Sequence, residues 1–454
     1  MMTIRFLSAR ALAALALLAI AAGCSRDASP PHIFVVSVDT LRADYLAPYG
    51  ATLADTPTTA ELAAEGTLYT RAVTPMGITV PVHATLLTGL MPREHGVRAN
   101  VHRLADDIAT LPERLDAAGY RSASILSLGM MNFISGLDRG FDHASDRAED
   151  GRAFKRADEN TLELATDWIA RQDGSQPLFM LLHFYDVHAP HLPTDFTPPM
   201  PPGYDGPLAD GISIETLYNQ SQPLLDDPDD LAALRALYAG EAAASDDRTG
   251  QFLAALDEAG LLEDSVVIFL ADHGQGLGEN GYFGHGPTLE QTVLHVPLII
   301  RDFRRPPDPG RITDTVGLID VAPTVLALAG VEGELPGRNL LAVDDGEDPV
   351  AYLSEVEQRS SQTEFRPAYF DEDALAVYFD DYKLVEIDGQ RRLFRIDTTR
   401  GQDIEPAAMD AIHESLKVWL VEHMQAYRDG LSASERADLD DDAIEALRSL
   451  GYIQ

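Results

Sequence analysis

The chain has 454 residues, a formal net charge of −39 and a single cysteine. This length accommodates one large α/β domain with a smaller appendage, or two modest domains. The acidity excludes nucleic acid as a natural partner, because a polyanion would be repelled, and one cysteine excludes an internal disulfide. An anionic substrate would also be repelled at long range, so its capture would need a local cation.

The N-terminus has the pattern of an export signal. Two arginines precede an apolar run over residues 11–22, which ends in small residues before Cys24. The run is too short to span a bilayer comfortably, so we predict a signal peptide over residues 1–23. Its junction with Cys24 resembles the lipobox of bacterial lipoproteins. That resemblance implies an acylated Cys24, a tether over residues 24–31, and anchoring to a membrane on its periplasmic or extracellular face.

Short apolar runs alternate with helix-like stretches along the chain. The apolar runs lack polar alternation, as expected of strands covered on both faces, and they are residues 33–38, 122–126, 178–184, 266–270 and 296–300. The stretches with helical spacing and good helix formers are residues 59–65, 111–118, 159–171, 231–259 and 322–329. This alternation predicts an α/β fold with a doubly wound, mostly parallel sheet sandwiched by helices.

Two changes in composition suggest the domain organisation. A stretch rich in Pro, Gly and Asp at residues 193–229 predicts a surface insertion at the rim of a substrate cleft. A second change, at residues 336–348, predicts a boundary between a catalytic domain over residues 32–335 and a C-terminal subdomain over residues 336–454. Within the subdomain, the patterns predict a small antiparallel sheet and then an amphipathic helix, at residues 374–379, 383–386, 391–395 and 408–427.

Acidic and imidazole side chains follow three of the predicted strands. Asp39 follows the first strand, Asp186 and His188 follow the run at 178–184, and Asp272 with His273 follows the run at 266–270. A single such residue would be an ordinary helix cap or turn former. Ligands of open parallel sheets bind beyond the carboxyl ends of the strands, so we expect these groups to meet there. Carboxylates and imidazoles together suit Zn²⁺, Mn²⁺ or, with more oxygen ligands, Ca²⁺.

A hydroxyl side chain stands at the start of a further predicted helix. Pro81 suits the first turn of a helix and Gly89 suits its end, which puts Thr79 at the N-terminus, where backbone N–H groups favour an anion. His83 lies one turn further on the same face. Thr79 alone would be a helix cap, but beside a metal its hydroxyl becomes a useful nucleophile.

The segment from Thr79 to Gly89, ending in Leu-Leu-Thr-Gly, resembles the sulfatase signature. Further similarity to the sulfatase family, within the alkaline phosphatase-like superfamily, lies at residues 37–44, 136–142, 183–190, 271–274, 284–286 and 447–452. The resemblance implies an alkaline phosphatase-like fold and an enzyme that hydrolyses ester bonds with a divalent metal. It also implies the metal ligands, with Thr79 as nucleophile and fourth ligand: Asp39, Asp272, His273 and Thr79.

The resemblance extends to the groups that would surround the substrate. His188 would touch substrate oxygens or the leaving group, and His285 stands where sulfatases usually have a lysine. A possible second metal would use Asp186, His188 and His285. Further candidates are His83 for catalysis, and Arg42 and Asn100 for substrate binding.

The sequence departs from the family pattern at the nucleophile. Sulfatases oxidise a Cys or Ser of the signature to formylglycine, whereas position 79 is Thr, so we expect no formylglycine. His83 replaces an arginine that helps hold the formylglycine, and Thr40 replaces a second carboxylate. Thr nucleophiles occur in relatives that cleave phosphodiesters.

Three functions are therefore compatible with the sequence. A hydrolase of phosphate esters is favoured, with an arylsulfatase-like sulfuric ester hydrolase as the alternative. The third is a catalytically silent, lipid-anchored binding protein on the same fold. For either enzyme, the partner would be an anionic ester of a small molecule, glycan or lipid.

Overall fold

The computed structural model describes residues 30–146, 155–343, 350–356, 374–379, 381–387, 389–396, 404–407, 421–422 and 435–436. The predicted signal peptide, Cys24 and most of the tether lie outside the described residues, as do the ending at 447–452 and most of the helix predicted at 408–427. Among the described residues, no helix has both the length and the apolar character needed to cross a bilayer.

The secondary structure follows an alternating pattern in the larger part of the chain. The strands are β1 (His32–Val38), β2 (Thr67–Val73), β3 (His102–Arg103), β4 (Arg121–Leu126), β5 (His143–Ser145), β6 (Leu178–Phe184), β7 (Ser265–Ala271), β8 (Gly276–Leu277), β9 (Phe283–Gly284), β10 (His295–Val296), β11 (Leu298–Asp302), β12 (Gly310–Gly317), β13 (Tyr352–Val356), β14 (Ala374–Phe379), β15 (Tyr382–Ile387), β16 (Gln390–Ile396), β17 (Ile404–Ala407) and β18 (Glu435–Arg436).

Helices cover and connect these strands. The α-helices are α1 (Pro57–Glu65), α2 (Thr79–Thr88), α3 (Pro92–His95), α4 (Leu111–Asp116), α5 (Met130–Phe133), α6 (Asp158–Ala170), α7 (Ile214–Asn219), α8 (Pro228–Glu258), α9 (Gln291–Leu294) and α10 (Val321–Ala329). The 3-10 helices are Ala43–Tyr45, Ala47–Tyr49, Gln222–Leu225, Leu262–Asp264, Glu279–Gly281, Leu318–Asp320 and Leu340–Ala342.

A nine-stranded sheet forms the centre of the molecule, in the order β10-β2-β11-β7-β1-β6-β4-β5, with β12 beside β2. The five strands from β7 to β5 run parallel, whereas β11 and β10 pair antiparallel to their neighbours. All seven residues of β1 are buried, because the strand lies in the middle of the sheet. The predicted α/β fold with a mostly parallel sheet is confirmed.

Two strands at one side of this sheet escaped the sequence analysis, namely β2 and β12. Their sequences are rich in Thr and Arg, so they do not form continuous apolar runs. Their polar side chains are satisfied between the two strands: the Thr70 hydroxyl donates to the Ile312 carbonyl at 3.2 Å, and Arg71 donates to the Thr313 carbonyl. This pairing allows polar residues to occupy a buried strand.

The long helix α8 packs against α6 and α1 and supports the turn after β1. It starts earlier than predicted because the Asp227 side chain accepts a hydrogen bond from the Asp229 N–H at the helix start. From the middle of α8, the Tyr238 hydroxyl donates to the Thr40 carbonyl at 2.6 Å and accepts from the Arg42 N–H at 2.9 Å. The helix therefore holds the backbone just beyond β1.

A second, antiparallel sheet contains β13 to β17 in sequence order. It confirms the small sheet predicted near residues 374–395, whereas the predicted domain boundary at residue 335 stays a prediction. The buried carboxylate of Glu355 on β13 accepts hydrogen bonds from Arg93 at 2.5 Å and Arg98 at 3.2 Å. Both arginines follow α2 in sequence, so this ion cluster ties β13 of the second sheet to the segment after that helix.

Replacing Glu355 by Gln should destabilise the protein, because two buried guanidinium groups would lose their countercharge. Breaking a buried ion pair by removing one partner costs about 3–5 kcal/mol. Urea unfolding followed by circular dichroism measures the loss. The matched control is Glu163→Gln on the exposed face of α6, which should change stability by less than about 0.5 kcal/mol. Equal effects of the two substitutions would contradict the assigned role of Glu355.

Candidate metal centre

Two carboxylates lie side by side where the central parallel strands end. Val38 of β1 pairs with Ala271 of β7, so the residues that follow, Asp39 and Asp272, occupy neighbouring positions beyond the sheet. His273 joins them, and one ligand atom from each of the three residues lies within 4.8 Å of the others. Among the residues that the structure describes, no other three His, Cys, Asp or Glu side chains form such a group.

The hydroxyl of Thr79 points into this cluster. Its Oγ1 atom lies 3.3 Å from Asp39 Oδ2 and 3.3 Å from His273 Nε2. His273 Nδ1 lies 3.1 Å from the Gly274 carbonyl, so this nitrogen carries the proton and the Nε2 lone pair faces the cluster. All four predicted metal-site residues therefore meet, and each is fully buried.

The buried carboxylates lack the partners that such groups need. Asp272 Oδ1 accepts from the N–H groups of Thr40 and His273, but Asp272 Oδ2 and Asp39 Oδ1 have no hydrogen-bond donor. Burial raises the pKa of Asp39 to about 6 and also raises the pKa of Asp272, to which the neighbouring Asp39 contributes. Two uncompensated carboxylate oxygens beside a free imidazole lone pair fit a divalent cation.

Helix α2 begins at the cluster. Thr79 is its first residue, after Ile78, and Gly89 ends it with a φ of 69°, a left-handed conformation that favours glycine. The Asn100 side chain accepts from the Val80 N–H at 3.0 Å through its carbonyl oxygen. Its Nδ2 is buried without an acceptor, so Asn100 caps the helix and retains free donors beside Thr79.

His188 and His285, the two histidines predicted to lie near the substrate, contact each other. Their Nε2 atoms are 2.9 Å apart, and the His285 ring stacks on His273 with 4.5 Å between ring centroids. His188 Nδ1 faces the Ala189 carbonyl at 2.8 Å, so this nitrogen donates. The backbone that carries His188 is held by Asp158, whose carboxylate accepts from two N–H groups at the end of β6.

The candidate catalytic role of His83 is not supported by its contacts. Nδ1 of His83 lies 2.9 Å from the Thr79 carbonyl, and Nε2 lies 3.1 Å from Ser37 Oγ. Burial lowers the pKa of His83 to about 4. Because both nitrogens are engaged, the neutral ring braces the first turn of α2.

The structure does not assemble the predicted second metal site. Asp186 accepts from the Asp158 N–H and lies 3.4 Å from Lys155 and 3.7 Å from Arg248. Its ligand atoms do not join those of His188 and His285 within 4.8 Å. Asp186 follows β6 in sequence, but its carboxylate is taken by cations from neighbouring segments.

Arg42 is also used within the protein. Its guanidinium donates to both carboxylate oxygens of Asp44, to Glu279 and to the Gln275 carbonyl. These contacts fix the turn after β1 against the segment after β7. Its predicted contact with substrate stays a prediction.

One buried histidine beside the cluster was missed by the sequence analysis. His183 is the sixth residue of β6, inside an apolar run, so it was counted as part of the strand. Its Nε2 lies 3.4 Å from Asp39 Oδ2. A histidine near the end of a strand next to β1 would be the signal for this residue. Which strand lies next to β1 is known only from the order of strands in the sheet.

The loop that carries His285 is tied to the second sheet. From β15, the buried Lys383 donates to the Leu289 carbonyl at 2.6 Å and to the Gln291 side chain at 3.1 Å. Burial lowers the pKa of Lys383 to about 7, against an opposing effect of Glu290. A neutral amine has two N–H bonds, and these two acceptors satisfy both.

This arrangement of carboxylates, imidazole and hydroxyl at the carboxyl edge of an α/β sheet is that of a metal-dependent hydrolase. The profile of the sulfatase family matches residues 31–331, more than half of the chain. The chain belongs to the sulfatase family, whose members depend on a metal, and it is an enzyme that hydrolyses ester bonds.

Individual relatives are distant but cover most of the chain. An arylsulfatase of Clostridium perfringens is 23% identical in an alignment of 395 positions that covers 73% of this chain and 79% of the relative. BT4656 in complex with its substrate D-glucosamine-2-N,6-O-disulfate has a TM-score of 0.69 at 18% identity, over 88% of this chain and 98% of that one. The phosphonate monoester hydrolase of Agrobacterium radiobacter has a TM-score of 0.67 at 20% identity, over 91% and 99%. These structures confirm the alkaline phosphatase-like fold.

Replacing Asp272 by Asn removes a carboxylate of the cluster and should weaken binding of Zn²⁺ or Mn²⁺. The loss should exceed the 10–100-fold that is typical when a residue supporting a metal ligand is removed. Isothermal titration of the purified protein measures the dissociation constant. Asp186→Asn is the matched control and should leave affinity and a stoichiometry of one metal per chain unchanged. If the wild type binds a second metal and only Asp186→Asn loses it, the second metal site predicted from the sequence would be supported.

The pH dependence of stability should report on Lys383. Its folded pKa of about 7 lies below the ordinary 10.5, so the unfolded chain binds more protons between these values. The free energy of unfolding should therefore rise with pH, by about 1.4 kcal/mol per unit from this residue. Urea unfolding at pH 7, 8 and 9 should show this slope in the wild type relative to Lys383→Met. Parallel pH profiles would contradict a buried neutral amine.

Proposed function

We propose that this protein hydrolyses phosphate esters, with Thr79 as the nucleophile beside a divalent metal held by Asp39, Asp272 and His273. The observation that carries the proposal is the position of Thr79 Oγ1, 3.3 Å from both Asp39 Oδ2 and His273 Nε2. A hydroxyl directed into a buried acidic cluster has little structural value, because a smaller apolar residue would also begin the helix. A bound cation would lower the pKa of the hydroxyl and balance charge on the transferred group.

The start of α2 would receive the transferred group. The positive end of the helix dipole favours an anion, although Asn100 already takes the Val80 N–H and Pro81 has no N–H. Asn100 Nδ2 adds an amide donor that has no other acceptor. Fixed donors of this kind stabilise the charge that develops during transfer, which is commonly the largest contribution to catalysis. Together they offset the overall charge of −39, which repels an anionic ester.

The chemical step would be a double displacement. Thr79 Oγ1 forms a bond to phosphorus while the bond to the leaving oxygen breaks. The hydroxyl proton passes to Asp39 Oδ2, which lies 3.3 Å from Thr79 Oγ1. His285 stacks on His273 and pairs with His188, whose Nδ1–H is taken by the Ala189 carbonyl, so the departing oxygen takes its proton from water and leaves as the alcohol. Water then opens the Thr79 ester and regenerates the hydroxyl, so the sum is ester plus water to acid and alcohol.

The preference for phosphate over sulfate rests on residue 79. A formylglycine hydrate has two oxygens on one carbon and can expel its adduct by becoming an aldehyde again. Thr79 has one oxygen, so water must attack the transferred group itself. Phosphoryl groups accept in-line displacement readily, which favours a phosphoester substrate.

A sulfuric ester substrate is the second candidate. The names of relatives in the sulfatase family favour it, including the arylsulfatase of Clostridium perfringens. The phosphonate monoester hydrolase shares the same fold, so the fold by itself separates neither candidate. A catalytically silent binding protein is the third, and it would retain the metal without turnover.

We also propose that the protein is exported and anchored through an acylated Cys24. Its support is the basic start, the apolar run over residues 11–22 and the lipobox-like junction. Membrane fractionation with palmitate labelling of the full chain is the measurement. Labelling should disappear in Cys24→Ala, and soluble, unlabelled wild-type protein would contradict the anchor.

Thr79→Ala should abolish hydrolysis, by at least about 10³-fold in kcat, while Asp39, Asp272 and His273 still bind the metal. Initial rates on p-nitrophenyl phosphate, bis-p-nitrophenyl phosphate and p-nitrophenyl sulfate, with metal-loaded protein, measure the effect. Thr79→Ser keeps the hydroxyl and should retain activity, which makes it the matched control.

The pattern across the three substrates separates the candidates. Turnover of a phosphate ester that is lost in the alanine variant supports the proposal. Faster turnover of the sulfate ester favours the second candidate, and no turnover of any ester favours a silent binding protein. Unchanged rates in Thr79→Ala would remove this residue from the mechanism.

A further inference from the structure

His183 is a buried imidazole without hydrogen-bond partners beside the acidic cluster. It has no exposed surface, and neither ring nitrogen has a donor or acceptor. Its Nε2 lies 3.4 Å from Asp39 Oδ2, slightly beyond an ordinary hydrogen bond. A buried polar group without a partner lowers the stability of the folded protein, so the place of His183 beside a carboxylate needs an explanation.

The neighbours of His183 are already engaged. His183 pairs in register with Ser37 of β1, whose hydroxyl contacts His83. The His83 and His183 rings meet edge to face with centroids 5.0 Å apart. Because both nitrogens of His83 have partners, that ring has no N–H left for Asp272 Oδ2, 3.9 Å away.

Asp39 is the acceptor that lies within reach of His183. Asp39 Oδ2 receives a hydrogen bond from the Thr79 hydroxyl, and it would lose that donor as soon as Thr79 turned to a substrate. Thr40 offers no replacement, because its hydroxyl donates to the Asp39 carbonyl at 2.7 Å. An imidazole carries at least one N–H, and an N–H on Nε2 of His183 faces Asp39 Oδ2.

We propose that His183 is a positioning residue of the metal centre, whose Nε2–H holds Asp39 Oδ2 so that the unpartnered Oδ1 faces the cation. This inference rests on the proposed metal-dependent function. The ring lies outside the set of ligand atoms that fall within 4.8 Å of one another, which is why we assign it to Asp39 rather than to the metal. The rings of His83 and His183 lie next to each other beside the acidic cluster.

The test measures metal affinity rather than activity. His183→Leu removes the donor and should weaken binding of Zn²⁺ or Mn²⁺ 10–100-fold, the range for loss of an outer-shell partner. His183→Gln places an amide N–H near the position of Nε2 and should stay within threefold of the wild type. His295→Leu is the control, because His295 is equally buried but contacts the Thr70 carbonyl, and its metal affinity should not change.

X-ray absorption of the zinc-loaded wild type supplies an independent readout. We expect one imidazole on the metal, from His273, and two would overturn the assignment by making His183 a ligand. Equal affinity of the wild type and His183→Leu would also overturn it, as would failure of His183→Gln to rescue. If the leucine variant does not fold, as judged by circular dichroism, His183→Phe replaces it in the comparison with His183→Gln.

Different results would contradict the role of His183 and the proposed hydrolysis. Wild-type protein that binds no divalent metal would overturn both. Metal binding with unchanged affinity in the donor-free variant would overturn only the role of His183. Metal binding that depends on His183, without turnover of any ester, would uphold the positioning role and remove the hydrolytic one.

Discussion

Two carboxylates buried next to each other set the main constraint on this molecule. Asp39 and Asp272 follow adjacent parallel strands, and one oxygen of each has no donor. Burial and mutual repulsion both oppose their ionisation, so the folded protein needs a cation there or must take up protons. The imidazole of His273 and the hydroxyl of Thr79 complete a set of groups that suits a divalent metal.

Much of the surrounding structure serves to hold these four groups. Tyr238 from α8 fixes the backbone beyond β1, and Asn100 caps the helix that begins with Thr79. The second sheet also supports the site, because Glu355 binds the arginines that follow α2 and Lys383 binds the loop after His285. The smaller sheet is therefore part of the support of the site, although its sequence contributes none of the cluster residues.

Residues 79 and 83 both differ from the sulfatase signature that the segment resembles. Residue 79 is Thr rather than a residue that becomes formylglycine, and residue 83 is His rather than Arg. A guanidinium could serve several acceptors at once, whereas the two nitrogens of His83 are used by Ser37 and the Thr79 carbonyl. His183 provides the remaining N–H beside Asp39.

The sequence by itself determined the parallel strands and the helix that starts at Thr79, because strand ends and helix ends are local features with strong residue preferences. The resemblance of short motifs to the sulfatase family, rather than residue spacing, implied the four residues that the structure brings together. Tertiary structure decided what those features touch. In the folded protein, His83 contacts the Thr79 carbonyl and Ser37. Asp186 lies near Lys155 and Arg248, and His183 lies beside Asp39. These contacts depend on which strands are neighbours in the sheet and on how distant side chains pair across it, and residue spacing along the chain carries no record of either.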